Sequence, residues 1–233
     1  MDHEISEREF LPLAIAVLTV SDTRTLANDA SGQTLVERLT AAGHRLTDRA
    51  IAPDDIYRSR AVVSNWIADP AVQIVLITGG TGMTGRDSTP EAIRPLLDKE
   101  ITGFGELFRM LSWEEIGAST LQSRALGGLA NATFIFCLPG STGACRTGWD
   151  RILQVQLDAR TRPCNLVGTA AATAGAVRAR LGGARFRWRL TFDLGDTVIA
   201  GKRPVVIVSR RESSGRSASW NPRSKAGRAF ARV

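Results

Sequence analysis

Gly79-Gly80-Thr81-Gly82 and the pair Arg86-Asp87 that follows are where this sequence concentrates groups able to handle a phosphate. Adjacent glycines allow positive φ and let a backbone lie against a ligand with its N–H groups pointing inward, the arrangement that holds phosphate oxygens. Arg86 and Asp87 place one cation and one carboxylate where a phosphoryl group and its magnesium would sit. Ser88-Thr89-Pro90-Glu91 then reads as a helix start: Ser88 or Thr89 caps, Pro90 suits the first turn, and Glu91 closes a capping box on Ser88. A glycine loop leading into a helix N-terminus is an anion-binding architecture, so a phosphate loop is the first hypothesis.

Other readings of the same glycines stand beside it. Gly80-Thr81-Gly82-Met83-Thr84-Gly85 matches the dinucleotide fingerprint G-x-G-x-x-G, but there the last glycine sits in the opening turn of a helix. Here the helix signal comes only at Ser88 to Pro90, and no acidic residue ends an apolar strand further on. No Gly-Lys-Ser/Thr follows, which excludes a Walker A loop. A purely structural turn explains the glycines but leaves Asp87 without a purpose.

The positions of these residues require elements to hold them. Ile74 to Thr78 is an apolar, β-branched run with the look of a strand buried on both faces, as in a parallel sheet. Ala14 to Val20 is a second such run, and Thr19, Ser21 and Asp22 at its end put hydroxyls and a carboxylate on the functional edge of an open α/β sheet; a local turn made by Ser21 or Asp22 is the plainer alternative. Ser31-Gly32 opens a helix bearing Leu35, Leu39 and Ala42, and Gly43 stops it. Arg45 to Ile51 reads as a strand, and Ala52-Pro53-Asp54-Asp55 as a turn opening a helix that ends near Trp66-Ile67. A carboxylate there caps the helix by default, but Asp54 also lies at a strand end and is a second site candidate. The order βαβαβ predicts a doubly wound, mostly parallel sheet in a three-layer α/β/α fold.

A helix is expected from Pro90 to Asp98, and another after Gly103-Phe104-Gly105, with Glu106 and Arg109 three apart on one face. They read either as a solvated ion pair or as ligand-facing groups, Arg109 orienting Glu106 or a phosphate. Thr133 to Leu138 is the last clear buried strand and ends in Pro139-Gly140-Ser141, where Gly140 frees the backbone. Ser141 can cap the helix running through Trp149 and Leu153 or donate to an anion.

Composition narrows the chemistry. With 43% apolar residues in 233 the chain can bury a real core. The net charge of +7 is carried by residues 167–233, which hold 14 Lys+Arg against 3 Asp+Glu, whereas residues 1–166 hold 16 against 20. The basic balance is therefore no argument for nucleic-acid binding by the main domain. His3 and His44 are the only histidines, one in a flexible start and one in a turn, which disfavours a histidine base. Lys99 is the only lysine before residue 200, so a lysyl-nucleotide intermediate lacks a nucleophile. Cys137, Cys145 and Cys164 form no C-x-x-C pair and are expected as reduced, buried thiols. The start is acidic and Leu11 to Val20 is too short to span a bilayer, so a cytoplasmic protein with no membrane role is expected.

Taken together, GGTG…RDSTPEA, GFGELFRMLS, STLQSRALGGLAN, LPGST and LDARTRPCN closely resemble the MoaB/Mog family of molybdenum cofactor biosynthesis proteins, the MoaB branch above all. The likeness runs from about Leu11 to Asn165. It implies an α/β/α fold assembled as a homotrimer or hexamer that binds molybdopterin. It further implies an adenylyltransferase that uses magnesium and ATP to adenylylate the terminal phosphate of molybdopterin, with a non-catalytic molybdopterin- and nucleotide-binding protein as the alternative. Carried over by motif, Asp87 is the carboxylate used with magnesium and nucleotide, and Asp54 the aspartate of the Pro-Asp turn also associated with activity. Gly79, Gly80, Thr81 and Gly82 correspond to the glycine loop, Thr19, Ser21 and Asp22 to the loop after the first strand, and Pro139, Gly140 and Ser141 to the pterin-side loop.

The organisation expected is a flexible start over residues 1–10, a molybdopterin-binding domain over 11–166 and an Arg-rich, partly disordered extension over 167–233. Within the extension an Ala-rich helix is expected over Val167 to Leu181 and a half-exposed strand over Arg185 to Leu190, with disorder beyond Ser209. A solvated addition is preferred there over an RNA-binding face.

Overall fold

The computed structural model describes residues 6–168. Expectations for the helix to Leu181, the strand at Arg185 to Leu190 and the segment beyond Ser209 lie outside the described residues. Within them the chain runs β1 (Ala14–Val20), α1 (Ala30–Ala41), β2 (Arg45–Ala52), α2 (Ile56–Ala68), β3 (Ile74–Thr78), α3 (Thr89–Ile93), β4 (Lys99–Glu100), α4 (Thr102–Ile116), β5 (Leu126–Ala130), β6 (Thr133–Leu138), α5 (Thr142–Gly148) and a last short turn, α6 (Gln154–Gln156). The six strands form one sheet in the order β2-β1-β3-β6-β5-β4. β2, β1, β3 and β6 are parallel, while β5 runs antiparallel to β6 and pairs with β4 in the same way. The doubly wound α/β/α reading holds.

The central strands are apolar on both faces because both faces are covered. Ile15, Val17, Ile74, Leu76, Phe134 and Phe136 point to a core completed by Leu35 and Leu39 of α1, Phe104 and Phe108 of α4 and Trp149. Their alternates, Ala16, Leu18, Val75, Ile77, Ile135 and Cys137, meet Val63 and Trp66 of α2 and Ala92 and Ile93 of α3. The period of two along each strand thus divides the side chains between two helix layers. Val167, first residue of the expected extension, is buried against the first of these cores.

Three local expectations are corrected. The helix expected to reach Asp98 stops at Ile93 and passes into a 3-10 turn over Arg94–Leu96, with Pro95 at the point where an α-helix would need an N–H. Sequence reading passed over β5, whose Gly127 and Gly128 have poor strand propensity. Glycine is needed there because a Cβ on Gly127 would lie 2.9 Å from the Phe104 side chain, and one on Gly128 2.4 Å from Leu97. Cys137 and Cys145 are buried as expected, but Cys164 is exposed.

Because β1, β2, β3 and β6 run the same way, their C-terminal ends, Val20, Ala52, Thr78 and Leu138, share one edge of the sheet. The segments that follow them, residues 21–29, 53–55, 79–88 and 139–141, crowd together outside that edge.

A candidate anion-binding crevice at the strand ends

Gly79 and Gly80 are glycines for reasons of backbone. At φ +102° Gly79 lets the chain turn off β3 so close to β1 that a Cβ would stand 2.2 Å from the Val20 carbonyl oxygen. Gly80, at φ +60°, passes over Thr89, whose Oγ1 would lie 2.4 Å from a Cβ there. The Gly79 carbonyl accepts from the Thr89 hydroxyl at 2.9 Å, and the Gly80 carbonyl accepts from the Thr89 amide at 2.9 Å, so the loop is pinned to the start of α3.

The capping box expected between Ser88 and Glu91 does not form. Ser88 donates from its amide (3.1 Å) and its hydroxyl (2.8 Å) to Oδ1 of Asp54, and Glu91 pairs with Arg124 instead. The two adjacent carboxylates of the Pro53 turn therefore divide the work. Asp55 caps α2 through the amides of Tyr57 and Arg58, while Asp54 crosses to the loop after β3. Asp22 ties the third segment in, accepting from the Asp54 amide at 3.2 Å and from Arg86 at 2.5 Å. Arg86, expected beside a phosphoryl group, is 70% exposed and engaged in that pair.

Asp87 folds back under the loop. Its Oδ2 accepts from the Thr84 hydroxyl at 2.6 Å and the Thr84 amide at 2.9 Å. The Thr84 hydroxyl above all, with the amides of Thr84 and Gly82, holds its pKa below the ordinary carboxylate range, so it is charged at neutral pH.

One cavity of about 690 Å³ opens over these groups, within the range of small-molecule sites. Thr19, Ser21, Asp22, Asp54, Gly79, Gly80, Thr81, Gly82, Asp87, Pro139, Gly140 and Ser141 all line it. Some of them are committed elsewhere. Thr19 gives its hydroxyl proton to the buried carboxylate of Asp29 at 2.7 Å, Ser21 makes the local turn by accepting from the Thr23 and Arg24 amides, and Ser141 caps α5 through the Ala144 amide. Glu106 and Arg109 are the exception. They line a separate concavity of about 440 Å³ between α4 and β5, because helix periodicity turns that face of α4 away from Phe108 and Ser112, which do reach the crevice. The alternative of an ion pair between them is not realised either, as neither joins any ion pair among the described residues.

Sequence reading missed the far wall of the crevice: Phe108, Ser112, Glu115 and Ile116 of α4, Ser119, Gln122 and Ser123 beyond it, and Thr147 of α5. Thr147 donates to Glu115 at 2.8 Å across the gap. Asp29 was missed because Ser31-Gly32 looked like the helix start, yet Asp29 is the cap of α1. Arg124, inside the STLQSRALGGLAN segment, has no local pattern that marks it as a site residue. His44 is buried, accepts the Leu13 amide on Nδ1 and has its pKa lowered by burial, so it is a neutral structural group outside the crevice.

Magnesium fits this donor set in one mode. No three His, Cys, Asp or Glu side chains converge to hold a metal among the described residues, so these residues offer no cage of their own. Asp54 and Asp87 do flank the glycine loop: a Cβ on Gly80 would lie 3.0 Å from Asp54 Oδ2, and one on Gly82 2.7 Å from Asp87 Oδ2. One or two carboxylates completed by substrate phosphates is how magnesium is commonly bound.

Fold and crevice define a doubly wound α/β protein with a glycine-loop crevice, a candidate ligand site, at the carboxyl ends of its parallel strands. Residues 16–159 match the family described as probable molybdopterin binding domain. The chain is 59% identical over 157 residues to molybdenum cofactor biosynthesis protein B of Escherichia coli (strain K12), covering 67% of this chain and 92% of that protein. A crystal structure of a molybdenum cofactor biosynthesis protein B resembles it with a TM-score of 0.65 at 39% identity, over 72% of this chain and 99% of that one. The tungsten cofactor synthesizing protein MoaB from Pyrococcus furiosus does so with a TM-score of 0.56 at 36% identity, over 61% and 91%. The chain belongs to the MoaB/Mog family of molybdenum cofactor biosynthesis proteins. No helix among the described residues is long and apolar enough to cross a membrane.

Proposed function

We propose that this protein transfers the adenylyl group of ATP to the terminal phosphate of molybdopterin and releases pyrophosphate. The observation that carries this reading is a single crevice with two unlike halves. Loop amides, Asp54 and Asp87 line one half, suited to nucleotide phosphates. Ile116, Ser119 and Gln122 line the other, over the buried Phe108 and Ser112, offering apolar surface and hydrogen-bonding groups to a flat heterocycle.

An oxygen of the pterin phosphate forms the new bond to the α-phosphorus of ATP. The bond from that phosphorus to the bridging oxygen breaks, and its electron pair leaves with pyrophosphate. A phosphate nucleophile is already ionised near neutral pH, so no general base is required, in keeping with a crevice that contains no histidine among its lining residues. Magnesium entering on the nucleotide phosphates would be held by Asp87 with Asp54 and would offset phosphate charge. Asp87 contributes a carboxylate kept ionised by Thr84, and the loop amides stabilise charge as it develops.

Assembly as a homotrimer or hexamer belongs to the same proposal. It is supported by the outer face of α4, where Met110 and Trp113 are each 60% exposed beside Leu107. Light scattering that returns the mass of one chain would remove it.

The test is single-turnover conversion of molybdopterin with magnesium and ATP, following pyrophosphate and the adenylylated pterin. Asp87→Asn should lower turnover by at least about a hundredfold while leaving the fold intact, the order expected for a lost transition-state contact. Turnover within a few-fold of wild type removes Asp87 from the mechanism. No product from wild type, with molybdopterin still bound, identifies a non-catalytic binding protein instead.

A further inference from the structure

Arg124 lies in the segment leading into β5, far in sequence from the glycine loop, yet every hydrogen bond of its guanidinium goes to that loop or to the helix after it. Nε donates to the carbonyl of Gly82 at 2.9 Å and to that of Thr81 at 3.3 Å. One Nη donates to the Asp87 carbonyl at 2.7 Å, and the other pairs with the Glu91 carboxylate. The side chain is only 27% exposed, so its bonds to the three loop carbonyls are partly shielded from bulk water, while the Glu91 pair stands at the surface.

In a trans peptide the C=O and N–H of one unit point in opposite directions. Drawing the Thr81 and Gly82 carbonyls toward Arg124 therefore turns the amides of Gly82 and Met83 to the other side. The Asp87 carboxylate lies against the loop at Gly82, its Oδ2 2.7 Å from where a Cβ there would stand, and accepts from the Thr84 amide and hydroxyl. Holding the Asp87 carbonyl likewise turns out the Ser88 amide, which donates to Asp54. The loop is thus a thin layer of peptide groups with a guanidinium on its carbonyl face and the two candidate magnesium-binding carboxylates on its amide face.

We propose that Arg124 is the positioning residue of the phosphate loop: it sets the direction of the loop amides and the placement of Asp87, without itself contacting the ligand. This rests on reading the loop as a phosphate cradle. Arginine is required because its planar fork reaches several acceptors at once, whereas a lysine ammonium is a single mobile point charge. The Arg-Glu91 pair fixes the fork's rotation and leaves the remaining donors to the carbonyls.

Two measurements on the full chain separate this inference from the functional reading. In the ligand-free protein, amide hydrogen exchange over residues 79–88 should accelerate by about tenfold or more in Arg124→Ala, since hydrogen bonds to a charged group are lost. Exchange in β1 and β3 should be unchanged, and guanidinium ion, but not methylammonium, should restore protection. Arg124→Lys, which keeps the charge and serves where the alanine variant is unstable, should be nearly as fast. Titration with magnesium-ATP should then show affinity falling in the same order in both variants. Loop exchange within about twofold of wild type in both variants overturns the inference, whatever happens to ATP. So does faster exchange with unchanged ATP affinity. Faster exchange in a protein whose wild type binds no ATP leaves the loop role standing and sinks the nucleotide reading.

Discussion

Asp29 is the most heavily committed carboxylate beneath the crevice, and removing its charge gives the clearest test of how the site is built. Its side chain is fully buried and accepts four bonds: the Gly32 amide (2.9 Å) and Ser31 hydroxyl (3.2 Å) on Oδ1, the Thr19 hydroxyl (2.7 Å) and Arg49 guanidinium (3.0 Å) on Oδ2. In Asp29→Asn one oxygen becomes an NH2 group. Whichever way the amide turns, two donors then face a donor: either Thr19 and Arg49, or Ser31 and Gly32. A bond to a charged partner is worth about 1.5–3 kcal/mol and the Thr19 and Ser31 hydroxyls can rotate to seek other acceptors, so the net loss should be about 2–4 kcal/mol. For a chain of this size that lowers Tm by roughly 4–16 °C.

The pH dependence has a definite sign. Burial alone would raise the Asp29 pKa, but the Gly32 amide, the Thr19 hydroxyl and Arg49 together outweigh it and hold the pKa below its ordinary value of 3.8. A group depressed in the folded state contributes stability that is fully present above its unfolded pKa and lost as pH falls through the folded one. The wild-type advantage over Asp29→Asn should therefore be constant from neutral pH down to about pH 5 and shrink on further acidification. Urea unfolding followed by tryptophan fluorescence at pH 7 and pH 3 measures both quantities. A loss under about 0.5 kcal/mol at pH 7, or a gap of equal size at both pH values, would refute the argument.

Two further outcomes follow from the same geometry. Gly80→Ala sets a Cβ 2.4 Å from Thr89 Oγ1 at φ +60°, and should weaken magnesium-ATP binding by at least about tenfold, given the cost of a left-handed conformation, whereas Gly85→Ala, with open space around it, should not. Calorimetric titration of both variants checks this, and equal affinities would exclude the Gly80 turn from the cradle. Iodoacetamide at pH 8 should label Cys164 alone, because burial raises the Cys137 pKa and pushes Cys145 up to about 11. Mass spectrometry showing prompt labelling at Cys145 in the native protein would mean that the core between α5 and the sheet opens.

Much of this protein is legible in its sequence wherever a local rule acts alone. The runs at Ala14, Ile74 and Thr133 declare strands covered on both faces, and parallel strands put their ends on one edge, so Thr19, Asp22, Gly79 and Pro139 meet without any further information. The doubled glycine of the loop is legible for the same reason: the turn off β3 leaves no room for a Cβ. What the sequence could not decide is which partner each polar side chain takes. Ser88 and Glu91 have the spacing of a capping box, but Asp54 and Arg124 arrive from distant segments and offer charged partners that a local pair cannot match. The same competition sends Asp54 to the loop while its neighbour Asp55 caps the helix. Glu106 and Arg109 were misplaced because a helix face is chosen by what packs beneath it, and Phe104 and Phe108 turned that face away from the crevice. Arg124 is invisible to any local pattern: its role exists only because the β5–β6 hairpin carries it to within 3 Å of a loop some forty residues earlier.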